Sequence, residues 1–541
     1  MTLALKLRVT DMTGNENLRT PRFAIHDGGW RCPGLFSERG LLRGVAIAGM
    51  LAALTFAVGL HAQIPSMPTA ISVPPTSQPP LSSALRPGTE FSDLAKAGYV
   101  EEEYYLSGVA PAITAAGDTL LEAPYVTRIL VRRPKEGARF NGTVIIEPFS
   151  WFGERAAGWI LTRDYLLRKG YAYVGYTLNI NKPGEDPKFP PADQPVANPE
   201  TDPNQLYTGI VNFDFMRRFD YTRYAPLGAY YDPVRFLRGG APDPFVPQSQ
   251  AIGAQLALLL KTNDPNGPMK NLRVDRVYVN SWAVTAQVWM DYLDQGRHQA
   301  WRMPDGRPLI DAYMTGRMAY GEVGGDVVRV PRKMPSDVPF VTVYSQSELM
   351  HDVMEKIALP PDTDHPKLRY YEVTGMPHLR KADLGTSHRE YFAADVGKGD
   401  DPRCQTVYDE PVEVIVAALL DGMDKWTREA KPMPKAPRVT RKGSSVVRET
   451  STGNMIGGVR PPWIQIPTAS YLTEQEASCG LVYDTKIAYD AQKLRKLYGS
   501  YDAYMKRFEA AKMKAVKQGY LLLEDLDQVK PTARAEDFEQ E

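Results

Sequence analysis

The stretch Val277-Tyr278-Val279-Asn280-Ser281-Trp282-Ala283-Val284-Thr285-Ala286-Gln287 reads as a β-branched strand running through a tight turn into a helix. A bend of this kind lifts a nucleophilic side chain clear of a sheet. It needs small residues two before and two after its apex, because strand and helix nearly touch there and the apex backbone is strained. With Ala283 at the apex, Ser281 and Thr285 supply both small flanks. Alanine has no lone pair to add to a carbonyl, so in this frame the nucleophile position is kept and the nucleophile is absent. The shifted frame makes Ser281 the nucleophile and places β-branched Val279 at the crossing, where it would crowd the helix. Ser281 also reads as a helix N-cap, a role in which its hydroxyl accepts a backbone N–H. Thr285 ranks behind Ser281 as a source of oxygen.

A nucleophile at such a bend works with a base and an acid delivered from later strands. His378 follows the strand expected at 368–373 in the loop Thr374-Gly375-Met376-Pro377-His378, whose glycine lets the imidazole reach back over the bend. Glu348 follows the strand at 340–344 through Ser345-Gln346-Ser347 and is the expected acid, with Asp352 one helical turn further on as its competitor. The order bend, acid, histidine is one that supports proton transfer from a nucleophile to a leaving group. An oxyanion hole would join the backbone N–H of Val284 to a second donor from the loop after an early strand, either Phe149 or Ser150. His351, His365 and His388 sit in polar stretches without ligand spacing, so no metal site is expected. Neither a P-loop nor a dinucleotide fingerprint occurs, so no cofactor is expected.

The elements that must position these groups alternate. Strands are expected at 125–131, 142–146 and 171–176, a helix at 156–168, a further helix at 249–262 and the strand into the bend at 274–280. This order predicts an α/β fold, a mostly parallel central sheet with helices on both faces. Ligands then belong at the C-terminal ends of its strands. A Pro-, Asp- and Asn-rich insertion from 181, extending to 222, is expected to cap that edge. Residues 486–526 carry apolar residues at helical spacing (Leu494, Leu497, Tyr498, Tyr504, Phe508, Ala511) and are expected to pack on the domain. The basic run 431–442 reads as a solvated loop, and residues 531–541 as a polar tail.

The chain has 541 residues, 43% hydrophobic and 24% charged, with a formal net charge of +0. That composition suits a large globular domain and supplies no field to gather nucleic acid. Ahead of the domain, Arg39 and Arg43 precede an apolar run at 45–60 and the small-residue site Leu60-His61-Ala62-Gln63. The run is shorter than the ~20 residues a spanning helix needs, so residues 39–62 are read as a signal peptide cleaved after Ala62, and the protein as secreted or periplasmic. Residues 1–38 carry no assigned role. Residues 63–88 are Pro- and Ser-rich and read as a linker, with folded structure beginning near Thr89. Cleavage removes Cys32 and leaves Cys404 and Cys479, a candidate disulfide in an oxidising compartment.

Several longer segments carry a resemblance. These are Asn141-Gly142-Thr143-Val144-Ile145-Ile146-Glu147, Asp291-Tyr292-Leu293-Asp294-Gln295-Gly296, Asp305-Gly306-Arg307, Tyr371-Glu372-Val373-Thr374-Gly375 with His378, and Gly457-Gly458-Val459-Arg460-Pro461-Pro462. Together, over about 89–530, they resemble the bacterial family of α/β-hydrolase domain-containing proteins, a largely exported group. The resemblance implies the α/β-hydrolase fold and ester or related acyl hydrolysis, and the aromatic residues near the expected site point to a small ester or aromatic ligand as partner. The family's bend resembles Gly-x-Ser-Gln-Ser/Thr-Gly, and counting back from Asp291 sets its serine on Ala283, its Gln on Val284 and its leading Gly on Ser281. Two outcomes therefore stand open: a serine-type ester hydrolase, using Ser281 or another nucleophile, and a non-catalytic homologue that binds a ligand or a protein partner.

Overall fold

The computed structural model describes residues 65–77, 79–81, 83, 94–113, 120–149, 156–178, 213–229, 248–317, 321–323, 326–328, 331, 333–350, 365–378, 380, 410–443, 445–473 and 484–539. The chain divides into two compact units, Met1–His61 and Ala62–Glu541. The first unit and the whole of the expected signal segment, residues 39–62, lie outside the described residues. Cys404, Cys479, Asp352, His351, His388 and Ser150 also lie outside them.

The second unit is built on a nine-stranded sheet. Its strands are β1 (Thr69–Ser72), β2 (Tyr99–Ile113), β3 (Leu120–Pro134), β4 (Thr143–Pro148), β5 (Ala172–Tyr176), β6 (Arg276–Trp282), β7 (Ala312–Gly316), β10 (Phe340–Ser345) and β11 (Leu368–Val373), while β8 (Gly321–Val323) and β9 (Asp326–Val328) form a separate ribbon. The spatial order is β1-β2-β3-β5-β4-β6-β7-β10-β11. From β5 to β11 every neighbour pair is parallel. On the other side β1, β2, β3 and β5 run antiparallel to one another in turn.

Parallel strands buried on both faces read as nearly continuous apolar runs, and the middles of β4, β6 and β10 do so, whereas β11 is buried throughout but carries Arg369 and Glu372. Their side chains still alternate between faces. Ile145, Tyr278, Val343 and Tyr371 enter one core with Trp159, Leu420, Phe508 and Trp463. Val144, Val277, Val279 and Phe340 enter the other with Leu256, Trp289 and Tyr292. The first face is covered by α1 (Ala157–Lys169), α8 (Glu413–Glu429), α10 (Ala491–Tyr498) and α11 (Tyr501–Lys517). The second is covered by α4 (Gln248–Thr262) and α5 (Ala286–Asp294). The remaining helices are short: α2 (Phe213–Phe219), α3 (Tyr221–Tyr224), α6 (Arg297–Ala300), α7 (Gln346–Met350) and α9 (Pro462–Gln465). The α/β class and the layering on both faces are as the sequence predicts. Among the described residues no helix is long and apolar enough to cross a membrane.

Four readings are corrected. The stretch 63–88 is not simply a linker: β1 pairs with β2 from Thr69↔Ser107 to Ser72↔Tyr104, and Leu81 is buried with its N–H on Tyr224 Oη at 3.0 Å. An outermost strand buries little, so it has no apolar alternation to announce it, and prolines are tolerated around it. The supposed polar tail contains a turn at Ala535–Phe538 that buries Phe538 against Tyr501 and Tyr504. Part of the expected cap, α2 and α3, packs with Leu81 and Leu227 beside β2 and β3, held there by Tyr105 and by Arg223 on Glu103. The basic run 431–442 is not merely solvated: Arg438 stacks on Tyr370 at 3.6 Å and Arg441 reaches Glu372 at 3.2 Å. The C-terminal helical stripe packs as expected, with Leu494, Tyr498, Tyr504, Phe508 and Ala511 buried, although residues 485–488 form a strand.

Candidate active site

Parallel register brings the C-terminal ends of β6, β7, β10 and β11 to one edge of the sheet. The chain leaves β6 at Trp282 and turns through Ala283–Thr285 directly into α5. Ala283 has φ 54°, in the left-handed region that side-chain-bearing residues avoid. Holding alanine there costs about 1–2 kcal/mol, which the surrounding bend must supply. The bend is stapled by its flanks. Ser281 Oγ donates to Thr285 Oγ1 at 3.1 Å, Thr285 Oγ1 donates to Trp282 O at 2.8 Å, and both side chains are buried. Small residues two before and two after Ala283 thus touch across the strand-helix crossing. The Ser281 hydroxyl is engaged with Thr285 rather than serving as an N-cap of α5; the residue at that cap is Thr285. Trp282 is anchored by Nε1 on Asn280 Oδ1 at 2.6 Å, and its ring lies where a Cβ on Gly316 would be, 2.2 Å from its Cζ3. That contact explains the glycine closing β7.

The acid and the histidine meet at the ends of β10 and β11. His378 Nδ1 is hydrogen-bonded to Glu348 Oε1, and the other carboxylate oxygen accepts the Ser345 N–H at 2.9 Å and the Ser345 hydroxyl. Burial works to raise the Glu348 pKa, but the His378 imidazole, the Ser345 hydroxyl and the Arg317 guanidinium outweigh it and hold the carboxyl at about 2. An anionic Glu348 cannot donate, so Nδ1 carries the proton and the lone pair of His378 sits on Nε2. The imidazole retains 21% of its side-chain exposure, against 7% for Glu348.

The loop carrying His378 is tied down from behind. Gly375, at φ 67°, donates its N–H to Gln346 Oε1 at 2.9 Å, and its carbonyl accepts from Trp463 Nε1 at 3.2 Å. The His378 N–H reaches Ser347 Oγ at 3.0 Å, and that hydroxyl donates to buried Asp484 at 2.7 Å. The Gly457-Gly458-Val459 stretch lies along β11, with Thr374 N donating to Val459 O at 3.1 Å and Val459 N to Glu372 O at 2.7 Å. A Cβ on Gly457 would fall 2.3 Å from Arg438 O, and one on Gly458 2.6 Å from Glu372 O. The close approach of backbones requires both glycines.

At the oxyanion side the expectation is corrected in part. The Phe149 N–H donates to Tyr176 O at 2.8 Å, and its ring is buried over Gly175, so Phe149 is neither a free donor nor a pocket wall. Val284 follows the apex within the turn. Glu147, next to last in the same early strand, accepts the N–H groups of Gly158 at 2.7 Å and Trp159 at 3.0 Å and the Tyr173 hydroxyl at 2.8 Å. Burial lifts its pKa to about 8 against the pull of these donors and of Arg132. Sequence reasoning placed Ser345, Gln346, Ser347 and Glu147 at strand ends without giving them a role, and it missed Arg317 altogether. Arg317, buried at φ 49° after β7, had no local signal. His365 lies at the opposite end of β11, in the turn before it. Among the described residues no cluster of three metal-ligating side chains occurs.

A family model described as Alpha/beta hydrolase domain matches residues 67–531. No curated protein matches the chain. Among solved structures, similarity extends to a protein described as a dienelactone hydrolase from Klebsiella pneumoniae subsp. pneumoniae MGH 78578, with 13% identity, TM-score 0.26, and coverage of 54% of this chain and 94% of that one. A protein described as a carboxylesterase from Lactobacillus plantarum WCFS1 gives 11% identity, TM-score 0.24, and coverage of 50% and 88%. A cold-adapted esterase from an Arctic intertidal metagenomic library gives 10%, 0.22, and 50% and 84%. Likenesses this remote carry no argument about chemistry. The match over most of the chain, on a sheet with this strand order, makes the chain a member of the α/β-hydrolase domain family.

Proposed function

We propose that the protein is an exported α/β-hydrolase that receives a small carboxylic ester at the C-terminal edge of its sheet, and in which the serine-dependent acyl-enzyme route is closed at position 283. The observation that carries this reading is the left-handed Ala283 at the apex of a bend stapled by Ser281 and Thr285, on the same sheet edge as a charged and oriented Glu348–His378 pair. In this reading Glu348 holds the imidazole tautomer, His378 Nε2 is the base, and the Val284 N–H is one oxyanion donor. Ser281 is a brace of the bend rather than a nucleophile. The signal-like residues 39–62 support export, and a Cys404–Cys479 bridge would suit that compartment. N-terminal sequencing of the mature protein reads the export directly, with Gln63 as the expected first residue.

The experiment on the site is Ala283→Ser assayed with p-nitrophenyl esters of short acids. Restoring the oxygen is expected to raise turnover by roughly 10²–10³ over the native chain, since a nucleophile and its base act as a unit. Failure of the variant to hydrolyse or bind any such ester would remove the reading. A second reading is favoured by the same alanine: a homologue that binds an ester or aromatic ligand, or a protein partner, without turnover. Turnover by the native chain separates the two.

A further inference from the structure

The corner that would deprotonate a serine is complete without one. Glu348 accepts from Ser345 on one oxygen and from His378 on the other, which directs the basic lone pair to Nε2. At the apex Ala283 offers only a methyl, so no atom there can take the part of the attacking oxygen. The nearest hydroxyls on the bend do not compete for that role, because Ser281 and Thr285 are buried and spent on each other and on Trp282 O. A water held between the imidazole and an ester carbonyl would meet the base that serine would have met.

We propose that His378 activates a water molecule directly, so that the native chain hydrolyses activated carboxylic esters in a single displacement with no acyl-enzyme. This rests on the ester-site reading above. The water oxygen bonds to the carbonyl carbon as Nε2 takes one of its protons, and the carbonyl electron pair moves onto oxygen. On collapse the bond from carbon to the leaving alcohol breaks, and the imidazolium returns its proton to the departing oxygen. The products are one carboxylic acid and one alcohol, with no other reactant. Hydrolases deprived of a triad member retain roughly 10³–10⁴ over water from the oxyanion hole and binding alone, so the base contribution of His378, roughly 10²–10⁴, is read against a chain lacking the imidazole rather than against buffer.

The test uses the full mature chain with p-nitrophenyl acetate, followed from the first turnover, and acid-quenched samples weighed by mass spectrometry. The expected result is a rate above buffer that is linear from time zero, leaves no acetyl adduct and falls by roughly 10² or more in His378→Ala purified in parallel, and a rate unchanged in that variant would overturn the water route. A burst, or an acetyl group mapped to Ser281, Thr285 or His378, would overturn single displacement in favour of a covalent route. A native rate equal to buffer while Ala283→Ser hydrolyses the same ester would overturn the water route and leave the ester-site reading standing. Inactivity of both, with no ester binding by either, would remove that reading as well.

Discussion

The bend at Ala283 and the corner at His378 are both built at the same sheet edge, and they differ in what they have kept. The bend has its backbone strain, its two small flanks and its following helix, but no reactive atom at its apex. The corner has shape and chemistry together, in that its acid is charged, its imidazole oriented and its loop anchored by Gln346, Trp463 and Val459. The difference teaches that the geometry of a site survives on packing, whereas its reactivity hangs on single atoms. Ser281 and Thr285 serve the crossing whatever stands between them. Nothing in the packing of Trp282 or α5 requires an oxygen at position 283.

The contrast is open to breaking, and the largest effect is expected at the corner. Gly375→Ala would force a β-carbon to 2.5 Å from Ile464 at a positive φ, and we expect a loss of about 3 kcal/mol from strain and overpacking, read as a drop in denaturation midpoint. A smaller effect attaches to Glu348. Its folded pKa, about 2, lies below the ordinary 4.5, so its stabilisation is present above pH 4.5 and is lost as pH falls toward 2. Glu348→Gln should remove on the order of 2 kcal/mol at neutral pH and flatten that acid limb, as measured by thermal unfolding across pH 2–6. A slope unchanged by the substitution would show that the carboxyl is not held charged. The smallest effect belongs to the bend: Ser281→Ala deletes one hydrogen bond, while Thr285 keeps its bond to Trp282 O. About 1 kcal/mol is expected, with the native chain's ester turnover unchanged. Loss of turnover in this variant would return Ser281 to the list of reacting groups.

Much of this was legible in the sequence because the deciding residues lie at strand ends. β-branched runs marked β4, β6 and β10, and two tyrosines between Leu368 and Val373 marked β11, to within a residue or two, while small residues around Ala283 marked the bend. What escaped was long-range. β1 is an exposed edge strand paired to a segment far along the chain, and β7, Ala-Tyr-Met-Thr-Gly, has no β-branched run to reveal it. The oxyanion reading of Phe149 failed because its N–H closes the pairing with β5, a partner visible only once Tyr176 is in place. Phe538 escaped because a lone aromatic among charges gives no periodicity, though Tyr501 and Tyr504 wait for it in space.

Labelling with a fluorophosphonate, mapped by mass spectrometry on the native chain and on Ala283→Ser, tests the central claim most directly. The account predicts no adduct on the native chain and a single adduct on the introduced serine at 283. An adduct on Ser281 of the native chain would contradict it.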